Sequence, residues 1–292
     1  MNAPTVQLPF AIIDAFTDRA FAGNPAAVFA DFEEREAAAM QGIATRIGLA
    51  ETVFTMPSTA ATLRARYFTP REELAMAGHP SIALAHDLCE RSVVEIGTTI
   101  TLETKAGIIP ISIGLRGERV DYTMQQRPPE FGTVWDRREI AAALGLRAAD
   151  LTVPPQIVST GNPMLLVPLS DADALARIHP DRDRLFARAD GAFVAVHCFC
   201  RDDDAPFAFV CRNIGPPGDL PEDAATGSGI GPMAAFVFAN RHISHPTFLV
   251  SQGTHIGRPS EIAVHILGTP DAIEGIRVGG SAVTSLRASL TL

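Results

Sequence analysis

Lysine is nearly absent from this chain. Of its 24 lysines and arginines only Lys105 is a lysine. A pyridoxal phosphate enzyme needs a Schiff-base lysine, and Lys105 lies in a polar strand-to-turn segment with nothing suggestive beside it. No Gly-Lys-Ser/Thr loop occurs, which excludes a P-loop. No Gly-x-Gly-x-x-Gly follows a strand-like run with an acid after it. The sequence therefore predicts a chain that works without a cofactor. Long apolar runs are also missing, so no membrane-spanning helix is expected. The opening Met-Asn-Ala-Pro-Thr has neither the basic nor the apolar region of a secretion signal, and the cytoplasm is the expected compartment. Net positive charge is absent too: the formal charge is −9, which argues against nucleic acid or an anionic membrane as the main partner.

Cysteine is sparse, with four: Cys89, Cys198, Cys200 and Cys211. In a chain expected in the cytoplasm these read as free, buried thiols. Cys198 and Cys200 share one face of a strand over Val194 to Cys200. Together with His197 and Cys211 they fit no common zinc spacing, so no metal is expected.

What is present is a weak duplication. Phe21-Ala-Gly23-Asn24-Pro25 is echoed by Ser159-Thr-Gly161-Asn162-Pro163. Ala77-Gly78-His79-Pro80-Ser81 opens one apolar helical stretch, and Thr226-Gly227-Ser228-Gly229 opens another. Lys105-Ala106-Gly107 and Ser251-Gln252-Gly253 each precede a strand-like run. At 292 residues, nearly half of them apolar, the chain can hold two domains with a core in each. The expected boundaries are 1–125 and 130–281, with a tail over 282–292 free to return to the first domain. Gln125-Gln-Arg-Pro128-Pro129-Glu130 is the linker candidate. A cleft between two such halves would carry a matched pair of helix N-termini.

Phe10 to Phe16 reads as a first strand. Asp31-Phe-Glu-Glu34 resembles a capping box, leading into a helix through Ala37, Met40, Ile43 and Ile47 that Gly48 stops. Leu63 to Phe68 is a strand, and Ser81 to Cys89 a buried helix. Strands cluster between Ile100 and Met124. Arg137 to Leu144 and Gly231 to Asn240 read as helices.

Four places could carry chemistry. Glu51 stands alone among Leu49, Ala50, Val53 and Phe54 at a helix-to-strand junction, where desolvation raises a carboxyl pKa toward the range of a general acid/base; the plainer reading is an exposed glutamate at a strand start. His79 precedes Pro80, which favours the first helical position, so His79 is expected about at an N-cap, where free N–H groups bind anions; it equally reads as an ordinary capping residue. Glu222-Asp223-Ala-Ala-Thr226-Gly227-Ser228-Gly229 brings two carboxylates to a glycine-rich helix start. Gln252-Gly253-Thr-His255-Ile-Gly257-Arg258 is either a plain hairpin turn or a means of bringing Arg258 or the Gln252 amide to a ligand carboxylate.

Together these motifs resemble the phenazine-biosynthesis PhzF-like family over almost the whole chain. The resemblance rests on Phe21-Ala-Gly-Asn-Pro25, Leu49-Ala-Glu51-Thr, Tyr67-Phe-Thr-Pro70 leading to Gly78-His79, Glu222-Asp223-Ala-Ala-Thr-Gly227-Ser228, and Gln252-Gly253 with Gly257-Arg-Pro-Ser260. It implies an α+β, diaminopimelate epimerase-like fold: two pseudo-symmetric domains, each a rolled, mostly antiparallel sheet around a central helix. It further implies a homodimer and a cofactor-independent isomerase that shifts a proton on a small cyclic carboxylate such as a dihydro-hydroxyanthranilate. Glu51 matches the family's proton-shuttling glutamate. His79, Asp223 and Ser228 match its other active-site residues, and Gly78 and Gly227 would offer backbone N–H groups to the substrate. Epimerases of this fold use a thiol at each helix start, and here those starts read Gly78-His79 and Gly227-Ser228, which argues against two-thiol racemisation. The sequence also admits two other readings: a non-catalytic binder of small carboxylates on the same scaffold, and a hydrolase using Ser228, whose Thr-Gly-Ser-Gly setting lacks the Gly-x-Ser-x-Gly elbow.

Overall fold

The computed structural model describes residues 7–30, 32, 36–187, 189–202 and 206–291. It shows a mixed α+β fold dominated by strands, with few helices. Contacts divide it into two compact units: the described residues up to Met124 together with those from Gly280 onward, and Gln125–Gly279.

In the first unit, β1 (Gln7–Ala15) pairs antiparallel with β2 (Asn24–Phe29). Helix α1 (Ala37–Ile47) then carries the chain to β3 (Glu51–Met56), parallel to β2. β4 (Leu63–Phe68) is antiparallel to β3 and holds the two-residue β5 (Glu73–Leu74). After α2 (Gly78–Glu90), β6 (Thr99–Thr104) lies parallel to β4. β7 (Gly107–Arg116) and β8 (Arg119–Gln126) follow as an antiparallel meander.

The second unit repeats these pairings in the same order. β9 (Glu130–Val134) is antiparallel to β10 (Gln156–Ser159), with α3 (Arg137–Ala143) between them in sequence. β10 pairs antiparallel with β11 (Pro163–Pro168), and α4 (Ala172–Ala176) and α5 (Arg182–Phe186) lead to β12 (Ala195–Arg201), parallel to β11. β13 (Phe209–Ile214) is antiparallel to β12 and holds the two-residue β14 (Glu222–Asp223). After α6 (Gly227–Ala239), β15 (Thr247–Gln252) lies parallel to β13, and β16 (Ser260–Thr269) and β17 (Ala272–Gly280) complete an antiparallel meander. The last strand, β18 (Ala282–Thr291), pairs antiparallel with β1 from Gln7 opposite Thr291 to Ala15 opposite Ala282.

Local pattern explains most elements. In β16, Ile262, Val264 and Ile266 are buried while Ala263, His265 and Leu267 are not, the period of two that marks a strand with one dry face. α1 ends where Gly48 takes a left-handed φ of 72° and donates its N–H to the Ala44 carbonyl. The capping box expected over Asp31 to Glu34 falls largely outside the described residues, and the N-cap of α1 is Glu36, with no side-chain bond to the helix. α2 and α6 are buried along most of their lengths, as suits helices apolar on nearly every face. Phe10, Phe29 and Phe54 stack in the first unit's core with ring centroids 4.9 Å apart at each step. Cys198 and Cys200 are packed into the second unit's core beside Leu165, Val167 and Val196.

Two expected boundaries move. α6 begins at Gly227, a full turn before the Gly231 read from the sequence. The glycines there do not break the helix; they let it lie close to its neighbours. A Cβ on Gly229 would come within 2.7 Å of His197 Nδ1. The linker is also shorter than expected, since β8 extends to Gln126 and β9 starts at Glu130.

Candidate active site

β2 and β3 start at the same end of a parallel pair, with Ala26 beside Glu51. Asn24 is therefore the first residue of β2 and Glu51 the first of β3 at one rim of the sheet. The first turn of α2 meets this rim. His79 Nδ1 lies 3.4 Å from Glu51 Oε2 and 3.3 Å from Asn24 Nδ2. The His79 side chain is 7% exposed and that of Glu51 21%, so the carboxylate is the more open end of the pair.

His79 is not an N-cap, as Pro80 had implied. Ala77 is the N-cap, His79 is the second helical residue and Pro80 the third. Proline is tolerated there because the first-turn N–H groups have no intrahelical acceptor for it to forfeit. The shift aims the imidazole at Glu51. Burial pushes the His79 pKa down to about 3, opposed only by a hydrogen bond to the Pro25 backbone. At neutral pH the ring is uncharged, so the contact with Glu51 is carboxyl to neutral imidazole and not an ion pair. Nδ1 takes one role at a time: it can donate to Glu51 or to the Pro25 carbonyl, or accept from Asn24. Nε2 is buried and has no hydrogen-bond partner among the described residues.

Tyr67 secures this helix start from below. Its hydroxyl and the Ser81 hydroxyl are 2.6 Å apart, and Ser81 Oγ donates to the Ala77 carbonyl at 2.7 Å. Burial, with a smaller push from the Glu51 charge, holds the Tyr67 phenol well above its usual pKa, so it serves as a hydrogen-bonding strut.

The second unit builds its own helix start. Thr226 is the N-cap of α6, Gly227 its first residue and Ser228 its half-buried second. The Thr226 hydroxyl donates to Asp223 Oδ2 at 2.6 Å. Gln252 is wholly buried with both amide ends engaged. Its Oε1 accepts from the Thr226 N–H at 3.2 Å, and its Nε2 donates to the Asp223 carbonyl at 2.8 Å and to the Thr226 hydroxyl at 2.9 Å. Arg258 is half-buried beyond the short helical turn Thr254–Ile256, and its backbone N–H donates to the Gly253 carbonyl.

An arginine–glutamate clamp precedes each helix start. In the first unit Arg66 grips Glu73 with Nε at 2.7 Å and Nη2 at 2.9 Å. In the second, Arg212 grips Glu222 with Nε at 3.0 Å and Nη2 at 2.7 Å. Glu73 faces the last residue of β4 and Glu222 the last of β13, and each glutamate stands equally far ahead of its helix. This alignment equates Gly78 with Gly227 and His79 with Ser228. Strand register equates Glu51, beside Ala26, with Ala195, beside Met164. The carboxylate of the first unit thus has only a methyl group as its counterpart.

Glu51 and His79 are brought together, as are Asp223 and Gln252 through Thr226. Asn24, Tyr67 and Thr226 lie within the sequence motifs, but their bonds to His79, Ser81 and Asp223 are given by the structure alone. The repeated Gly-Asn-Pro was the available signal for Asn24. The chemistry this permits is proton transfer at Glu51 and anion binding by the first-turn N–H groups of α2 and α6.

Acid stability follows from the buried rings. Burial also pushes His197 down to about 4, against a hydrogen bond with Asn213. In the unfolded chain each imidazole gains a proton near its ordinary pKa of about 6.5, but in the folded chain only near 3 or 4. Between those values the unfolded state holds more protons, so stability falls as pH falls. The expected loss is on the order of 1 kcal/mol per pH unit for each ring. Thermal melts at pH 7 and 5 should show it, and His197→Gln should flatten the dependence; an unchanged slope would contradict this account.

The chain is similar to known proteins over nearly its whole length. Residues 13–288 match the family model described as phenazine biosynthesis-like protein. The chain is 32% identical over 275 residues to the trans-2,3-dihydro-3-hydroxyanthranilate isomerase of Pseudomonas aeruginosa, covering 93% of this chain and 95% of that one. A crystal structure of the PhzF-family phenazine biosynthesis protein of Bacillus anthracis superposes with a TM-score of 0.89 at 28% identity, covering 98% of this chain and all of that one. A hydroxyproline epimerase from Agrobacterium vitis, 14% identical, shares the fold with a TM-score of 0.63 over 98% of this chain and 91% of its own. Fold and relatives define an isomerase. The chain belongs to the phenazine biosynthesis-like, or PhzC-PhzF, family. Among the described residues no helix is long and apolar enough to cross a membrane.

Proposed function

We propose that this isomerase shifts a proton on a small cyclic carboxylate, with trans-2,3-dihydro-3-hydroxyanthranilate as the model substrate, and that Glu51 is the acid/base. The observation that carries the reading is the Glu51 carboxylate, partly open to solvent and seated against a neutral His79 at a helix start. A neutral imidazole neither neutralises the carboxylate nor competes with it as an acid. It orients the carboxylate and exchanges hydrogen-bonding roles as the proton moves. The alanine at the equivalent position of the second unit supports a mechanism in which one group takes and returns the proton, in place of a symmetric pair of bases. The repeated order of strand pairings supports the pseudo-symmetric epimerase-like architecture.

The other residues take supporting roles in this proposal. Gly78 offers a first-turn N–H beside Glu51. Gly227 and Ser228 hold a substrate carboxylate at the start of α6, with Arg258 as a further cation for it. Asp223, tied to Thr226, accepts a hydrogen bond from a polar group of the substrate and takes no proton from carbon, and Gln252 holds Asp223 and Thr226 in place. No cofactor enters the scheme. The test is conversion of trans-2,3-dihydro-3-hydroxyanthranilate by the purified chain, followed by absorbance and by product mass in deuterium oxide. Turnover with no more than one carbon-bound solvent deuterium per product, counted after the N–H and O–H sites are exchanged back in ordinary water, is expected. Absence of turnover would sink the substrate assignment, and incorporation at several positions would sink the single-base scheme.

A further inference from the structure

Gln126 reaches into the first turn of α6. Its Nε2 donates to the Gly227 carbonyl at 2.7 Å, and its Oε1 accepts from the buried Thr160 hydroxyl at 2.5 Å. The orientation of the amide is forced. Turned over, its oxygen would face the Gly227 carbonyl oxygen, acceptor against acceptor. Gly231 is what admits it: a Cβ there would overlap the Gln126 amide and sit 3.0 Å from Thr160 Oγ1. The equivalent residue of the first unit is the buried Ile82, which leaves no such opening. The device is therefore peculiar to α6 and is not a general support for these helices.

The Gly227 carbonyl belongs to the same peptide group as the Ser228 N–H. Ser228 is the second residue of the helix, so no helical carbonyl stands behind it to accept that N–H. A donor on a peptide carbonyl polarises the group and strengthens its N–H as a donor, and successive bonds reinforce one another. Thr160, Gln126 and the Gly227–Ser228 peptide form such a chain.

We propose that Gln126, backed by Thr160, is a positioning residue that fixes and polarises the Gly227–Ser228 peptide, so that the Ser228 N–H grips an anionic group of the substrate. This rests on the reading of the α6 start as a carboxylate holder. The test uses the full chain and the variants Gln126→Leu, Thr160→Val and Thr160→Ser. Each is titrated with 3-hydroxyanthranilate by calorimetry, and the Ser228 amide is followed by nitrogen NMR without ligand. Gln126→Leu and Thr160→Val are expected to bind about 3- to 10-fold more weakly, with Thr160→Ser at the wild-type value. The Ser228 nitrogen resonance moves upfield in the two weakened variants only. Gly231→Ala, which evicts the amide while keeping Gln126, gives the same shift, and adding it to Gln126→Leu weakens binding no further. An unmoved Ser228 resonance in folded Gln126→Leu overturns the chain of bonds. Wild-type affinity in that variant overturns its part in binding. If the wild-type protein ignores 3-hydroxyanthranilate, the functional reading fails instead, and the Ser228 resonance still decides whether the peptide is polarised.

Discussion

Glu51→Gln lowers kcat for the dihydro-hydroxyanthranilate by about 10²–10⁴ and leaves the melting temperature unchanged. Glutamine keeps the length of the side chain and can still meet His79 Nδ1, so the rim of β2 and β3 keeps its packing. What it loses is the ability to take up and return a proton. The loss should fall on kcat more than on KM, because the amide still fills the space beside the substrate while the transition-state interaction is gone. His79 cannot substitute, since burial keeps it neutral and far from the pKa of a useful base at pH 7. Steady-state kinetics alongside a thermal melt checks this. Activity within about two-fold of wild type would remove Glu51 from the mechanism.

Arg212→Met produces the second large effect, on stability. The Arg212 and Glu222 side chains are 12% and 8% exposed. Arg212 Nη1 also donates to the Leu175 and Ile178 carbonyls at 3.0 and 3.3 Å. Methionine fills the volume but leaves a buried carboxylate and two carbonyls short of a donor. Removing one partner of a buried pair costs about 3–5 kcal/mol. For a chain of this size that lowers the melting temperature by roughly 10 °C. Adding Glu222→Leu should recover much of the loss, because the stranded charge is then gone. Arg66→Met should cost less, since Lys105 Nζ lies 2.7 Å from Glu73 and remains to pair with it. A melting temperature for Arg212→Met within about 2 °C of wild type would show that the clamp adds little.

Some of this was legible in the amino-acid order and some was not. The strand Leu63–Phe68 and the αL stop at Gly48 follow from local pattern, and both stand where it places them. Glu51 stands out in the sequence because an isolated carboxylate among apolar residues is costly without a purpose, and the structure sets it beside His79 at the start of β3. His79 was placed two positions early, because proline's preference for the first helical residue is a weak prior and the third position tolerates it as well. The start of α6 was misplaced because glycine reads as a breaker, whereas here its missing Cβ makes room for His197 and the Gln126 amide. The two clamps and the Gln126 bridge were beyond reach. Each joins residues whose meeting depends on strand register, and Gln126 and Gly227 are 101 positions apart.

The pairing of β18 with β1 has a consequence for synthesis. The second unit is one unbroken stretch of chain, while the first needs a strand that is made after all of the second. On the ribosome the unit begun first must therefore be finished last, with the edge of β1 waiting open while the later residues emerge and fold. Domains made in order usually fold in order. Here the order is inverted, and the exposed β1 edge during that interval is where a chaperone would have most to do.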